Sequence, residues 1–246
     1  MIGTRKWISK THGNMNSIDR LSALLTIIGM RLMGRLAKKT IAAVTVNDAI
    51  VKLPDSRLVG LAIEECKDRC SVSVYHHSCR TYLWAASLAQ IREISYDPEE
   101  LAIASLLHDL ELGKTHDRFT KGCHCFAGAG AHSAEAWLAS NNVSLEMREA
   151  IAEAIALHLN PGVPLALGAT SHLLNAGAMA DVVGTQIGTI SSLQRQSILS
   201  SYPRNDFKKE MKALMGQELR HAPKTRAGFL MSIGFVKLVD AAPFTD

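Results

Sequence analysis

Three histidines and two aspartates fall where a helical sequence would place apolar residues. His77 stands within the stripe Val74, His77, Thr81, Trp84, Leu88, Ile91, and His108 shares a face with Leu101 and Ala104, with Asp109 directly after it. His158 ends the series Met147, Ile151, Ala154, Ile155, and Asp181 lies in line with Leu174, Gly177, Ala178, Gly184 and Thr185. Steps of three and four residues put each series on one side of a helix, the side that faces a core. A single buried histidine is commonly a hydrogen-bonded core residue. Several together are different, because each unpaired buried polar group costs ~1–3 kcal/mol and a buried carboxylate more. These side chains therefore need a common partner, and a divalent cation is the simplest one. It accepts imidazole nitrogen and carboxylate oxygen, and it holds side chains from separate helices at one point.

The elements that must position them are helices. Pro54-Asp55-Ser56 opens a run to about Cys70, and a longer one extends from about Val72 to Glu93. In Asp97-Pro98-Glu99-Glu100 the aspartate can cap, the proline fits the first helical position and the glutamates suit the positive end of the helix dipole. That helix is predicted to end near Leu110. Others are predicted from Gly130 to about Ser140, from Leu145 to Asn160, where Pro161-Gly162 stops the chain, and from Thr170 to about Ile190. Alternating β-branched runs are nearly absent, Thr40 to Val46 being the best candidate strand. The predicted fold class is all-α, with Trp84 and Trp137 in the core.

Composition narrows the class. The 246 residues are 47% hydrophobic with a net charge of +4, which excludes a disordered tail or a fibre. The longest uncharged apolar stretch, Leu21 to Met30, is about half of the ~20 residues needed to cross a bilayer, so no transmembrane segment is expected. Five scattered cysteines suit reduced thiols and a cytoplasmic location better than a disulfide framework. Cys66 and Cys70 with Cys123-His124-Cys125 do not match the common zinc spacings.

Charge divides the chain into a basic N-terminal extension, 1–52, and a helical domain, 53–246. The extension holds nine basic and two acidic residues, a net of +7, and the remainder carries −3. Between Ser17 and Lys39 the apolar residues Ile18, Leu21, Leu25, Ile28, Leu32 and Leu36 recur at helical steps, with Arg20, Arg31, Arg35 and Lys38 elsewhere around the helix. Such an amphipathic helix either packs on the domain, serves as a targeting peptide, or makes peripheral contact with an anionic membrane. A start at Met15 would leave the first fourteen residues outside the protein. Beyond residue 52 no Lys/Arg cluster is interleaved with aromatics, so nucleic acid is not an expected partner.

With these residues in place, the sequence resembles the HD-domain metal-dependent (phospho)hydrolase superfamily. Its signature is a His, a His-Asp doublet and a later Asp on separate helices, matched here by His77, His108-Asp109 and Asp181. Within the superfamily the similarity is closest to the cyanamide hydratase-like branch. It is carried by His77 to Tyr82, Leu106 to Leu110, Phe126 to Ala134, Ala154 to His158 and Gly177 to Gly184, with an echo in Tyr202-Pro203-Arg204 and Phe207-Lys208. The resemblance implies an HD-domain helical bundle behind the N-terminal amphipathic helix. It implies a divalent metal ion (Fe, Mn, Zn, Mg or Co; one or two per chain) held by His77, His108, Asp109 and Asp181. Asp109 would also steer metal-bound water, and His132 and His158 would either complete a second metal site or act as proton shuttles. Arg80 and Lys114 are candidates for substrate binding, although the spacing after the doublet differs from the usual pattern and makes Glu111 an equal candidate.

Three functions follow. The first is hydrolysis of a small molecule, a phosphoester by the superfamily's commonest chemistry. The second is a hydro-lyase of the cyanamide hydratase type, and the third a non-catalytic, metal-containing ligand-sensing domain. A phosphate substrate demands several cations beside the metal, and the sequence offers only Arg80, Lys114 and the histidines.

Overall fold

The computed structural model describes residues 1–37, 50–114 and 122–246, with the backbone alone at 30–37. Among them are twelve α-helices. They are α1 (Arg5–Thr11), α2 (Ser17–Ala37), α3 (Arg57–Arg69), α4 (Val72–Ile91), α5 (Pro98–Leu107), α6 (Phe126–Ser140), α7 (Leu145–Leu157), α8 (Ala169–Val183), α9 (Ser192–Ser201), α10 (Phe207–His221), α11 (Arg226–Ser232) and α12 (Phe235–Asp240). No strand occurs among the described residues, and the candidate strand Thr40 to Val46 lies outside them. An all-α helical bundle is the observed fold class.

Local chemistry starts most of these helices. Ser56, Ser71 and Ser144 each accept a hydrogen bond from a backbone N–H of the first turn of α3, α4 and α7. Asp97 accepts from the N–H groups of Glu99 and Glu100, with Pro98 in the first turn of α5. Three ends fall short of the sequence reading. α8 stops at Val183 because Gly184 adopts a left-handed conformation (φ 76°) and donates its N–H back to Ala180. α5 and α7 stop at Leu107 and Leu157, so that His108 and His158 are themselves the capping residues.

The core forms where α4 and α8 lie side by side, flanked by α5, α6 and α7. Trp84, Leu88, Leu101, Leu106, Ile155 and Leu174 are fully buried there. The α4–α8 approach is close: a Cβ on Gly177 would lie 2.2 Å from the Thr81 carbonyl oxygen, so only glycine fits. A second apolar cluster, built on Phe126, Phe207, Met211, Met215 and Phe235, lies between the bundle and the C-terminal helices.

The first fourteen residues are packed into this frame rather than appended to it. Ile8 is buried in the main core, the Arg5 guanidinium pairs with Glu135, and the Arg5 N–H donates to Glu153 at 2.9 Å. The Met15 N–H donates to the Lys224 carbonyl at 2.8 Å. α2 follows and packs through Ala23 and Ile27 against Met15, Trp7 and Phe229.

Candidate metal centre

His77 arises from the second turn of α4, and His108, Asp109 and His158 from the chain where α5 and α7 end. Termination at these points has a chemical consequence. A helix end leaves carbonyls without partners, and two histidines take them. His108 Nδ1 lies 2.7 Å from the Ser105 carbonyl, and His158 Nδ1 lies 2.7 Å from the Ile155 carbonyl. A carbonyl only accepts, so the proton is assigned to Nδ1 in both rings and the Nε2 lone pairs point away from their helices. His77 is oriented by a carboxylate in the same sense, with Nδ1 2.8 Å from Asp181 Oδ2.

The three rings then converge on Asp109. His77, His108 and Asp109 each offer a ligand atom within 4.8 Å of the others, and all three side chains are buried. His77 Nε2 and His108 Nε2 are 3.2 Å apart. Asp109 Oδ2 is 3.3 Å from His108 Nε2 and 3.5 Å from His77 Nε2. Asp109 Oδ1 is buried without a hydrogen-bond partner and lies 3.5 Å from His158 Nε2. Phe207 stacks on His77 with ring centres 4.6 Å apart, which fixes the ring plane.

Asp181, expected as a ligand, lies outside the cluster formed by His77, His108 and Asp109. It is fully buried behind His77, and its carboxylate is taken up by four donors. Arg80 grips it in two places, Nε to Oδ1 at 2.8 Å and a terminal nitrogen to Oδ2 at 2.9 Å. Trp84 Nε1 donates to Oδ1 at 2.8 Å, Arg204 adds a longer contact at 3.4 Å, and His77 Nδ1 completes the set. The cause is the close passage at Gly177, which brings α8 to the rear face of His77 and within reach of Arg80 one turn further along α4. Arg80 is correspondingly withdrawn from substrate: it is fully buried, and its remaining terminal nitrogen donates to the carbonyls of Tyr202 and Pro203 at 3.0 Å each.

The other expected residues are dispersed. His132 faces solvent on α6, although the glycine-rich start of that helix packs against the site, a Cβ on Gly130 lying 3.3 Å from the His108 carbonyl. Lys114 is half-buried and outside the cavity wall, and Glu111 pairs with Arg69. Sequence reasoning missed the polar roles of Trp84 and Arg204. Arg204 lies in the Tyr202-Pro203-Arg204 segment, which was a signal without a role.

Electrostatics follow from burial opposed by neighbours. Burial alone would lower the His108 pKa, but the charge and hydrogen bond of Asp109, with the Ser105 carbonyl, raise it above the ordinary value. Burial would raise Asp109; the His108 charge and the hydrogen bonds of His108 and His77 hold it well below the usual carboxylate range. His158 is pushed down to about 3 by burial and by the His108 charge, so its ring stays neutral. Asp181 is lowered because burial is outweighed by Arg80 and by hydrogen bonds from His77 and Arg80.

This arrangement fits a divalent cation. Three imidazole lone pairs and an unpartnered carboxylate oxygen face one small space, and lone pairs facing each other at 3.2 Å need positive charge between them. A proton on His108 can supply it, and so can a metal ion. His77, His108 and Asp109 could supply three donors, and His158 Nε2 is a third nitrogen beside them. With an ion there, Asp181 would orient His77 through its other nitrogen.

The donors form the floor of a cavity of about 320 Å³. Its walls are Leu112, Phe126, Val182, Met211, Met215, Leu230 and their neighbours, with Asn160 and Thr185 as the neutral polar groups. Among the described residues no Lys or Arg lines it. The Thr185 hydroxyl oxygen is buried without a partner.

Residues 74–183 match the family model described as HD domain, a span that begins beside His77 and closes just after Asp181. No curated protein matches the chain.

Proposed function

We propose that this protein is a metal-dependent hydrolase-type enzyme that adds water to a small, uncharged and largely apolar molecule. The observation that carries the reading is the contrast between floor and walls: metal-type donors converge at the base of a cavity whose described lining holds no cationic side chain. A divalent cation at the floor supplies Lewis acidity, lowering the pKa of water and polarising the bond to be attacked.

The chain's own residues do the rest. His77, His108 and Asp109 would hold the ion, and the protons assigned to the two Nδ1 atoms would keep both Nε2 lone pairs directed at it. Asp109 Oδ1 and the neutral His158 Nε2 accept hydrogen bonds from water and so aim its oxygen. Thr185 and Asn160 are uncharged partners for a substrate heteroatom, and the apolar wall excludes bulk water, which strengthens each electrostatic contact at the floor. Phosphoester hydrolysis uses the same floor, but a phosphate needs guanidinium or ammonium groups beside it. Arg80, the sequence's best candidate, is held by Asp181 instead. Addition of water to a nitrile-type carbon, as in the cyanamide hydratase type, suits these walls better.

The test is turnover by protein purified without chelator and supplied in turn with Fe, Mn, Co, Zn and Mg, on cyanamide, small neutral nitriles and amides, and a phosphoester panel. Turnover of a neutral substrate that is lost in Asp109→Asn is the expected result. Turnover confined to phosphoesters would overturn the substrate class, and absence of metal from the purified and the supplemented protein would overturn the reading altogether.

A further inference from the structure

One conspicuous feature is not used by the site. α2 packs inward through Ala23 and Ile27, and its larger apolar residues point roughly the opposite way, about 160° around the helix. Ile18 is 78% exposed, Leu21 58%, Leu25 60% and Ile28 45%. Single exposed leucines are ordinary on soluble proteins; four large apolar side chains in one row along three turns are an unpartnered surface. The face is available because small residues, not the leucines, were placed against Phe229 and Met15.

We propose that α2 is an interfacial helix that docks the protein on an anionic lipid surface. Three observations favour that occupant. The row Ile18, Leu21, Leu25, Ile28 has the spacing of a helix lying in the plane of a membrane interface. Residues 1–52 carry nine basic and two acidic groups, while the rest of the chain is slightly acidic, so positive charge is gathered in the stretch of sequence that carries the apolar row. The same charge opposes a second copy of the chain, since a two-fold contact through α2 would bring two segments of net +7 together. No helix among the described residues is long and apolar enough to cross a membrane, so the contact is with the surface. Lys6 and Lys10 of α1 are exposed nearby in the chain and add to the attraction.

The experiment is flotation of the full chain with vesicles of phosphatidylglycerol and phosphatidylcholine, and with phosphatidylcholine alone. Alongside it, the wild type and the double variant Leu21→Glu, Leu25→Glu are compared by light scattering and thermal melting. Binding to the anionic vesicles only, weakened by added salt, is expected, with a loss of at least about a hundredfold in the double variant from two leucines that no longer enter the interface. Because both leucines are exposed, the variant should melt like the wild type. Equal binding by wild type and variant, or no binding by either, overturns the proposal. So does a wild-type dimer that the variant dissolves, which would make a second copy the occupant. A clear drop in the variant's melting temperature would show that the chain itself covers the row, with the same consequence.

Discussion

Asp181→Asn separates the two roles a buried aspartate can play beside a metal. The substitution keeps the shape and replaces one carboxylate oxygen by an NH₂ group, so donors now face donors at Arg80, Trp84, Arg204 or His77. Arg80 is fully buried, Arg204 is 3% exposed, and Arg80 has no other carboxylate partner among the described residues. Removing one member of a buried ion pair costs about 3–5 kcal/mol, because it leaves an uncompensated charge in a medium that solvates it poorly. For a chain of this length that corresponds to a fall of about 6–20 °C in melting temperature. Metal binding should respond differently. His77 loses its orienting acceptor but keeps its place, so affinity should drop about 10- to 100-fold while the stoichiometry is preserved.

Asp109→Asn is the mirror image. Its Oδ1 has no hydrogen-bond partner to lose, but its Oδ2 faces His108 and His77, so the chelated protein should lose about 1–3 kcal/mol, less than Asp181→Asn costs. Metal binding should disappear. The assays are urea unfolding of chelated protein and calorimetric titration with Mn or Co. An Asp181→Asn protein that unfolds like the wild type yet binds no metal would refute the reasoning and return Asp181 to the coordination sphere.

Three further outcomes are expected. Gly177→Ala forces a Cβ to within 2.2 Å of the Thr81 carbonyl, so it should destabilise the protein by about 1–3 kcal/mol and weaken metal binding by parting His77 from Asp181; unchanged melting would mean that α4 and α8 are not in close contact. In metal-free protein, His158 at about 3 lies below its ordinary 6.5, so the unfolded chain takes up a proton that the fold refuses and stability should fall as pH drops from about 6.5 towards about 3. The raised His108 works in the opposite direction, its contribution being present below the ordinary value and lost above it, so the acid loss should steepen in His108→Gln and flatten in His158→Gln when urea midpoints are measured at about pH 5 and about pH 7. His132→Ala, on the exposed face of α6, should leave turnover and metal affinity unchanged and stability within about 0.5 kcal/mol; a tenfold loss of turnover would restore it to the site.

Much of this was legible in the sequence because helical period and burial are tightly linked. The stripes through His77, His108 and His158 face inward as their spacing requires, and the Asp97-Pro98 start of α5 is realised as a cap. The sequence asked for one common cation among all these groups, and at Asp181 guanidinium and indole donors stand instead. What helical period cannot encode is which positive group arrives. Arg80 reaches Asp181 only because α4 and α8 touch at Gly177, and Arg204 comes from a loop beyond α9 whose position depends on the whole bundle. Helix ends were misplaced for a related reason. His108 and His158 extend an apolar stripe in the sequence, but in the fold they end the helix by capping a carbonyl of its last turn.

The double guanidinium clamp bears on the chemistry as well as on the fold. A lone carboxylate behind a ligating imidazole raises its basicity, which strengthens the ligand but also donates negative charge toward the ion and blunts its effect on water. Here that charge is shared among Arg80, Arg204 and Trp84, so Asp181 fixes the direction of His77 while passing on less of its charge. Counted together, Arg80 and Arg204 with Asp181 and Asp246 make a neutral cluster behind the floor, and among the described residues Asp109 is the carboxylate at the floor itself. With a divalent cation in place the base of the cavity is positive and its walls have low polarity, the combination in which charge developing on water is most strongly stabilised. An anionic substrate would compete for that floor and lose its hydration along the apolar walls without gaining a cation from the described residues there. A neutral one would leave that floor to the water.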